Sequence, residues 1–303
     1  MIEEFLNQHG DYSQDKYFKD LTTVKMGGHI KHFVLPNSVD DLKAIIDYLK
    51  TNKIPFKVIG NGSNLICGES EFDGVVICLK KLNSFEISND EIYVEAGVMA
   101  PALANILAKQ GLSCLEFASG IPGTMGGLIY MNAGAYGREM KDIVTQVTYL
   151  DTETMTIEKL SNEQCEFGYR TSAVEKKGGI VISARMKMAK GDAEQIKNYV
   201  AELREKRTTS QPLEVPSAGS TFKRPEGFFA GKLIQDAGLK GITIDHSGAQ
   251  VSPKHAGFVV NNGGTATATD IYRLIQYVIT KVFENSGVHL EPEVRLIGFD
   301  KDK

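Results

Sequence analysis

Apolar residues return at helical spacing in several stretches, and each stretch carries its own start or stop signal. Leu42, Ile45, Ile46 and Leu49 line one face of a helix that Ser38 can cap, with Asp41 three residues on. Leu103, Ile106 and Leu107 mark an inward face over 101–110, closed by Gly111 where a left-handed residue is favoured. A third helix begins at Asp192, turns Ile196, Tyr199, Val200 and Leu203 inward and ends in the basic turn 204–207. A short helix is expected over 230–237, and a long one over 269–286 with Ile271, Leu274, Ile275, Val278 and Val282 on one face and Gly287 as its stop.

Between these stretches the pattern switches to short apolar runs. Strands are expected at 33–36, 56–59 and 74–79, so that the first lobe reads as a βαβ-type unit whose 56–59 strand opens into a glycine loop. From residue 85 the pattern becomes hairpin-like: 85–88 and 91–96 flank Asn89-Asp90, 144–151 pairs with 155–160, and 179–184 adds a strand. A last strand covers 293–298, and a charge opening a terminal strand makes Glu293 a surface acid on pattern alone. Residues 208–216 are the best linker, and 303 residues allow two domains or a little more.

Composition narrows the partners. A net charge of −4 gives nucleic acid no electrostatic footprint, although residues 216–260 reverse sign with five Lys/Arg against three acids, weakly favouring a small anionic ligand. No apolar run approaches a membrane span, and the start Met1-Ile2-Glu3-Glu4 lacks the basic and apolar regions of a leader, so a cytoplasmic protein is expected. Cys67, Cys78, Cys114 and Cys165 form no CxxC pair and read as buried thiols, and the six histidines show no HxxxH spacing, so no protein metal site is expected.

Glycine carries the chemistry. Residues 118–137 hold six glycines (Gly120, Gly123, Gly126, Gly127, Gly134, Gly137), where average usage of roughly 7% would give one or two. Without a Cβ, successive amides can approach a ligand and form a concave anion cradle. A single such loop is more often a turn between packed elements. Here the glycines cluster with short hydrogen bonders Ser119, Thr124 and Asn132, and a second loop, Gly60-Asn61-Gly62-Ser63-Asn64, repeats the chemistry. Two cradles suggest a ligand with a diphosphate in its middle. Neither is a familiar nucleotide motif, and Gly227-x-x-x-Gly231-Lys232-Leu233 is one residue short of a P-loop.

Seven short motifs then occur in order: Gly60 to Asn64; Gly120-Ile121-Pro122-Gly123 through Asn132-Ala133-Gly134-Ala135-Tyr136-Gly137; Tyr169-Arg170-x-Ser172; Ala218-Gly219-Ser220-x-Phe222-Lys223; Ala230-Gly231-x-Leu233-Ile234; His255-Ala256-Gly257-Phe258; and Glu293-Val294-Arg295. Together they make the chain resemble the UDP-N-acetylenolpyruvoylglucosamine reductase family over nearly its whole length, in the shorter subclass that lacks a tyrosine-loop insertion. The resemblance implies an α+β protein: an FAD-binding fold of the vanillyl-alcohol-oxidase type in two lobes, 1–80 and 81–207, and a third, substrate-binding α+β domain at 208–303. It implies non-covalent FAD held by Gly60, Asn61, Gly62, Ser63, Asn64, Gly120, Ile121, Pro122, Gly123, Gly126, Gly127, Asn132, Ala133 and Gly134. It implies catalytic roles for Arg170, Ser220 and Glu293, and substrate contacts from Tyr136, Lys223 and Arg224. The activity implied is NADPH-dependent reduction of UDP-N-acetylenolpyruvoylglucosamine in peptidoglycan synthesis, by a monomer in which NADPH and the substrate take turns in one pocket. Where the longer subclass usually has Asn, this chain has Arg224, the candidate clamp for the nucleotide diphosphate.

The residue types suit that chemistry. Hydride added to the far vinyl carbon of an enol ether pushes charge onto the near carbon and its carboxylate, and a fixed guanidinium fork such as Arg170 matches that carboxylate. Glu293 helps only as a neutral acid that donates a hydrogen bond. Ser220 is a plausible proton donor only to so basic a centre; on pattern alone it is a turn serine bonded to its own backbone. The rival readings are an oxygen-using FAD oxidase on the same fold and a catalytically silent nucleotide-sugar binder, which would purify colourless.

Overall fold

The structure, a computed structural model, describes residues 2–299, so Met1 of the N-terminal reading lies outside the described residues. Contacts divide the chain into two compact units: Met1–Gln14, His32–Asn61 and Gly74–Arg207 form the first, and Asp15–Lys31, Gly62–Asp73 and Thr208–Lys303 the second.

The first unit is built on two sheets. In one, Gly10–Ser13 lies beside His29–Pro36, then Phe72–Cys78, then Phe56–Ile59, the last two parallel. Helix Val39–Thr51 covers this sheet with Leu42, Ile45, Ile46 and Leu49 fully buried, and Ser38 Oγ accepts from Asp41 N at 3.1 Å as the sequence implied. The other sheet is fully antiparallel, in the order Ile157–Ser161, Val144–Leu150, Ile180–Lys187, Glu91–Glu95, Phe85–Ser88. Asn89, at φ 57, turns its edge hairpin, a conformation that Asn tolerates better than most residues. Leu150, Ile180 and Ile182 of this sheet share one core with Leu42, Ile45, Val75 and Ile77 of the first. Helices Ala100–Lys109 and Met125–Tyr130 belong to a separate core on the second sheet.

Helix Ala193–Ser210 departs from expectation in two ways. Tyr199 is exposed rather than inward, because the buried stripe is Ile196, Val200 and Leu203. The helix also runs past the basic turn to Ser210, so the linker expected from residue 208 starts inside it. Ile106 is only half-buried, since Leu103, Ala104, Leu107 and Ala108 fill the inward face of Ala100–Lys109.

In the second unit, Leu65–Cys67 runs parallel to Arg295–Ile297, and Ala249–Val251 pairs with Val259–Asn261. Helix Ala268–Ser286 buries Ile271, Leu274, Ile275, Val278 and Val282; Thr267 and Asp270 form its capping box, and Gly287 ends it at φ 71. The last strand begins at Arg295, two residues later than expected, because residues 221–223 and 291–293 are joined by separate backbone bonds. Cys67, Cys78 and Cys165 are buried free thiols, whereas Cys114 is only half-buried. Among the described residues no helix is long and apolar enough to cross a membrane.

Candidate active site

The glycine stretch is held by the segment that follows strand Glu91–Glu95. Gly126 N donates to Ala96 O at 2.9 Å, Met125 N to Val98 O at 2.8 Å, and Ala100 N to Gly123 O at 3.0 Å. A Cβ on Gly126 would lie 2.7 Å from Ala96 Cβ, so glycine is what allows this stitching. The 60–64 loop is tied in at its start: Asn61 Nδ2 donates to Pro122 O at 2.6 Å. A Cβ on Gly60 would sit 2.3 Å from Thr124 Oγ1. Gly62, Ser63 and Asn64 belong to the second unit. There Gly62 adopts φ 62 against Leu21 O, and Asn64 Nδ2 donates to Glu293 O at 3.1 Å while Asn64 O accepts from Arg295 N.

Arg170 stands on a strained turn in the first unit. Its φ is 57, a left-handed conformation costly for a long side chain. The turn is clamped by Asn132, itself at φ 45 and fully buried. Asn132 Nδ2 donates to Gly168 O at 2.9 Å and Glu139 Oε2 at 3.0 Å, and its Oδ1 accepts from Lys141 N at 2.9 Å. Ser172 is buried, donates to Tyr130 O at 2.7 Å and caps the one-turn helix Ala173–Lys176. Arg170 Nη2 donates to Gly134 O at 3.3 Å, and the guanidinium lies 4.8 Å from the Tyr169 ring centre. Ala133 is buried with its N–H on Leu128 O. Tyr136 is also left-handed, at φ 55, and its hydroxyl donates to Leu203 O at 3.2 Å.

Ser220 and Glu293 come together in the second unit. Thr221 N donates to Gly257 O, Thr221 Oγ1 accepts from Val259 N at 2.8 Å, and Glu293 N donates to Thr221 O at 2.8 Å. Ser220 therefore sits one residue from the backbone partner of Glu293. It follows Gly219, at φ 82, and is exposed, whereas Glu293 is half-buried and not the surface acid its pattern suggested. Lys223 pairs with Glu291 at 3.1 Å. Arg224 Nε donates to Phe228 O, and its guanidinium stacks 4.0 Å from the centre of the exposed Phe229 ring.

One residue of this neighbourhood enters the sequence reading only as part of a basic helix end. Arg207 lies in the last turns of helix Ala193–Ser210, with its Cδ against Gly120: a Cβ there would be 2.7 Å away. Its Nε is buried with no hydrogen-bond partner. Burial pulls its pKa below the ordinary guanidinium value, opposed by nearby Tyr136.

Known proteins resemble this chain over nearly its whole length. Residues 211–297 match the model of the UDP-N-acetylenolpyruvoylglucosamine reductase C-terminal domain, and residues 30–161 that of an FAD binding domain. The UDP-N-acetylenolpyruvoylglucosamine reductase of Caldanaerobacter subterraneus is 45% identical over 98% of this chain and 97% of its own length. The chain belongs to the UDP-N-acetylenolpyruvoylglucosamine reductase family. The Clostridioides difficile member is 46% identical over 96% of the chain and 94% of its own. The crystal structure of the Thermus caldophilus reductase superposes with a TM-score of 0.79 at 32% identity, covering 95% of this chain and 98% of that one. The chain is thus an oxidoreductase with FAD as cofactor, and its α+β class agrees with the sequence reading. The residues fit such a group: Gly60, Gly120 and Gly126 pack where a Cβ would not fit, and a buried guanidinium nitrogen beside Gly120 has no hydrogen-bond partner.

Proposed function

We propose that the protein uses NADPH to reduce UDP-N-acetylenolpyruvoylglucosamine to UDP-N-acetylmuramate, in the cytoplasm and as a monomer, for peptidoglycan synthesis. The observation that supports this best is the backbone ladder that joins Thr221 to Glu293 and so brings Ser220 within one residue of that pairing. When bound, FAD would supply the redox chemistry for hydride transfer from NADPH to the enolpyruvyl group. Gly60 to Asn64 and Gly120 to Gly134 hold the cofactor, as the resemblance implies. Arg170 carries a permanent charge that pairs with the substrate carboxylate as electron density moves onto it. Its strained, clamped turn fixes the guanidinium before substrate arrives, so little reorganisation is needed during reaction. Glu293 can help only as a neutral acid that donates a hydrogen bond to the substrate. Ser220 passes its hydroxyl proton to the near carbon, completing the saturated lactyl ether, and regains a proton from solvent, to which it is exposed.

The test separates the two half-reactions in an anaerobic stopped-flow instrument. Ser220→Ala should leave flavin reduction by NADPH near the wild-type rate, since that half creates no carbanion. Reoxidation by the enolpyruvyl substrate should slow by roughly 10²–10⁴-fold, the range for losing a positioned proton donor. Ser220→Cys should recover part of that rate. Equal slowing of both halves would remove the proton-donor role. Reduced wild type that ignores the enolpyruvyl substrate but reacts rapidly with oxygen would instead favour an oxidase.

A further inference from the structure

Helix Ala193–Ser210 turns Ile196, Val200 and Leu203 inward, and the same four-three-four spacing brings Arg207 onto that buried stripe. An arginine there is expensive unless something accepts its donors. Its stem is accommodated, because Gly120 leaves room for Cδ where any side chain would collide. Its head is not: Nε is buried without a partner. Tyr136, whose hydroxyl donates to Leu203 O of the same helix, makes no hydrogen bond with Nε. The two features are complementary. A glycine at 120 admits the side chain, and an unsatisfied guanidinium nitrogen then points to an acceptor supplied from outside the protein.

We propose that Arg207 is a ligand of the flavin dinucleotide, donating charge-assisted hydrogen bonds to an anionic acceptor of FAD seated on the Gly120 loop. This rests on the reading of that loop as a cofactor cradle. Two parts of FAD share the required chemistry, the diphosphate and the pyrimidine edge of the reduced, anionic ring. The guanidinium suits either, being a permanently charged planar fork.

The full-length protein is stripped of flavin and titrated with FAD by fluorescence quenching, for wild type, Arg207→Gln and Arg207→Lys. The midpoint potential of each reconstituted holoprotein is then measured. A diphosphate contact should weaken FAD binding by Arg207→Gln on the order of 10- to 100-fold, the range for a hydrogen bond to a charged group, with the potential unchanged. A contact with the reduced ring should leave oxidised FAD bound normally and move the potential to more negative values. In either case Arg207→Lys should restore part of the effect. Wild-type affinity together with wild-type potential in Arg207→Gln would overturn the proposal, as would losses that only track a fall in the thermal midpoint of the flavin-free protein. If the stripped wild type fails to rebind FAD, the cradle reading falls, which distinguishes that failure from failure at Arg207 alone.

Discussion

At position 224 we propose an arginine clamp for the nucleotide diphosphate. Arg224 is exposed, yet it is not free to wander: Nε is bonded to Phe228 O at 3.2 Å and the guanidinium plane is stacked on Phe229. Such stacking is worth about 0.5–1 kcal/mol at an exposed site and limits the entropy lost when the arginine grips an anion. Neighbouring Lys223 already has a partner in Glu291, which makes it the weaker candidate for a phosphate contact. Arg224→Ala should therefore raise KM for the UDP substrate by about 1.5–3 kcal/mol of lost binding and leave KM for NADPH nearly unchanged. Steady-state kinetics with each substrate varied separately would measure this, and an equal rise in both KM values would count against a clamp specific to the nucleotide sugar.

Among elements, the helices with a clear period and a cap were the most legible. Ala268–Ser286 begins within a residue of its expected start and ends where Gly287 turns left-handed, because stripe, box and stop all agree. Removing the Thr267 hydroxyl takes away the acceptor for Asp270 N, so Thr267→Ala should cost about 1 kcal/mol in chemical denaturation with no change in flavin content. A cost near zero would show that the remaining acceptors suffice, Asp270 for Thr267 N and Glu69 for Ala268 N and Thr269 N. Less legible were features that only tertiary contacts create. Tyr199 sits within the helical period yet falls outside the buried stripe, and helix Ile2–His9 is too short to announce itself. The left-handed backbones of Asn132, Tyr136 and Arg170 carry no local signal, since they depend on bonds such as that from Asn132 to Gly168, thirty-six residues away. The glycine loops suggested a cradle, but not that Gly120 receives Arg207. The only trace in the sequence was a charge at an apolar position of a helix, easily taken for an ordinary basic helix end.

At the scale of the whole molecule, Arg170 belongs to the first unit, and Ser220 and Glu293 belong to the second. A cofactor that binds only the folded chain adds stability without adding any covalent bond. Neither glycine loop contains His or Cys to link a flavin. The buried thiols are poor nucleophiles: burial pushes Cys67 up to about 12 and Cys165 up to about 11, so both stay protonated near neutral pH. Acid precipitation should therefore leave all yellow colour in the supernatant; colour in the pellet would reveal a covalent flavin. Free FAD at 100 times its dissociation constant should stabilise the native state by about 2.7 kcal/mol over the stripped protein. A chelator should change nothing, because no group of three or more His, Cys, Asp or Glu among the described residues is placed to hold a metal. Thermal or denaturant unfolding with FAD, without it and with EDTA would separate these effects. A midpoint insensitive to FAD would mean that FAD does not bind the native state in preference to the unfolded chain, and would count against the cradle reading.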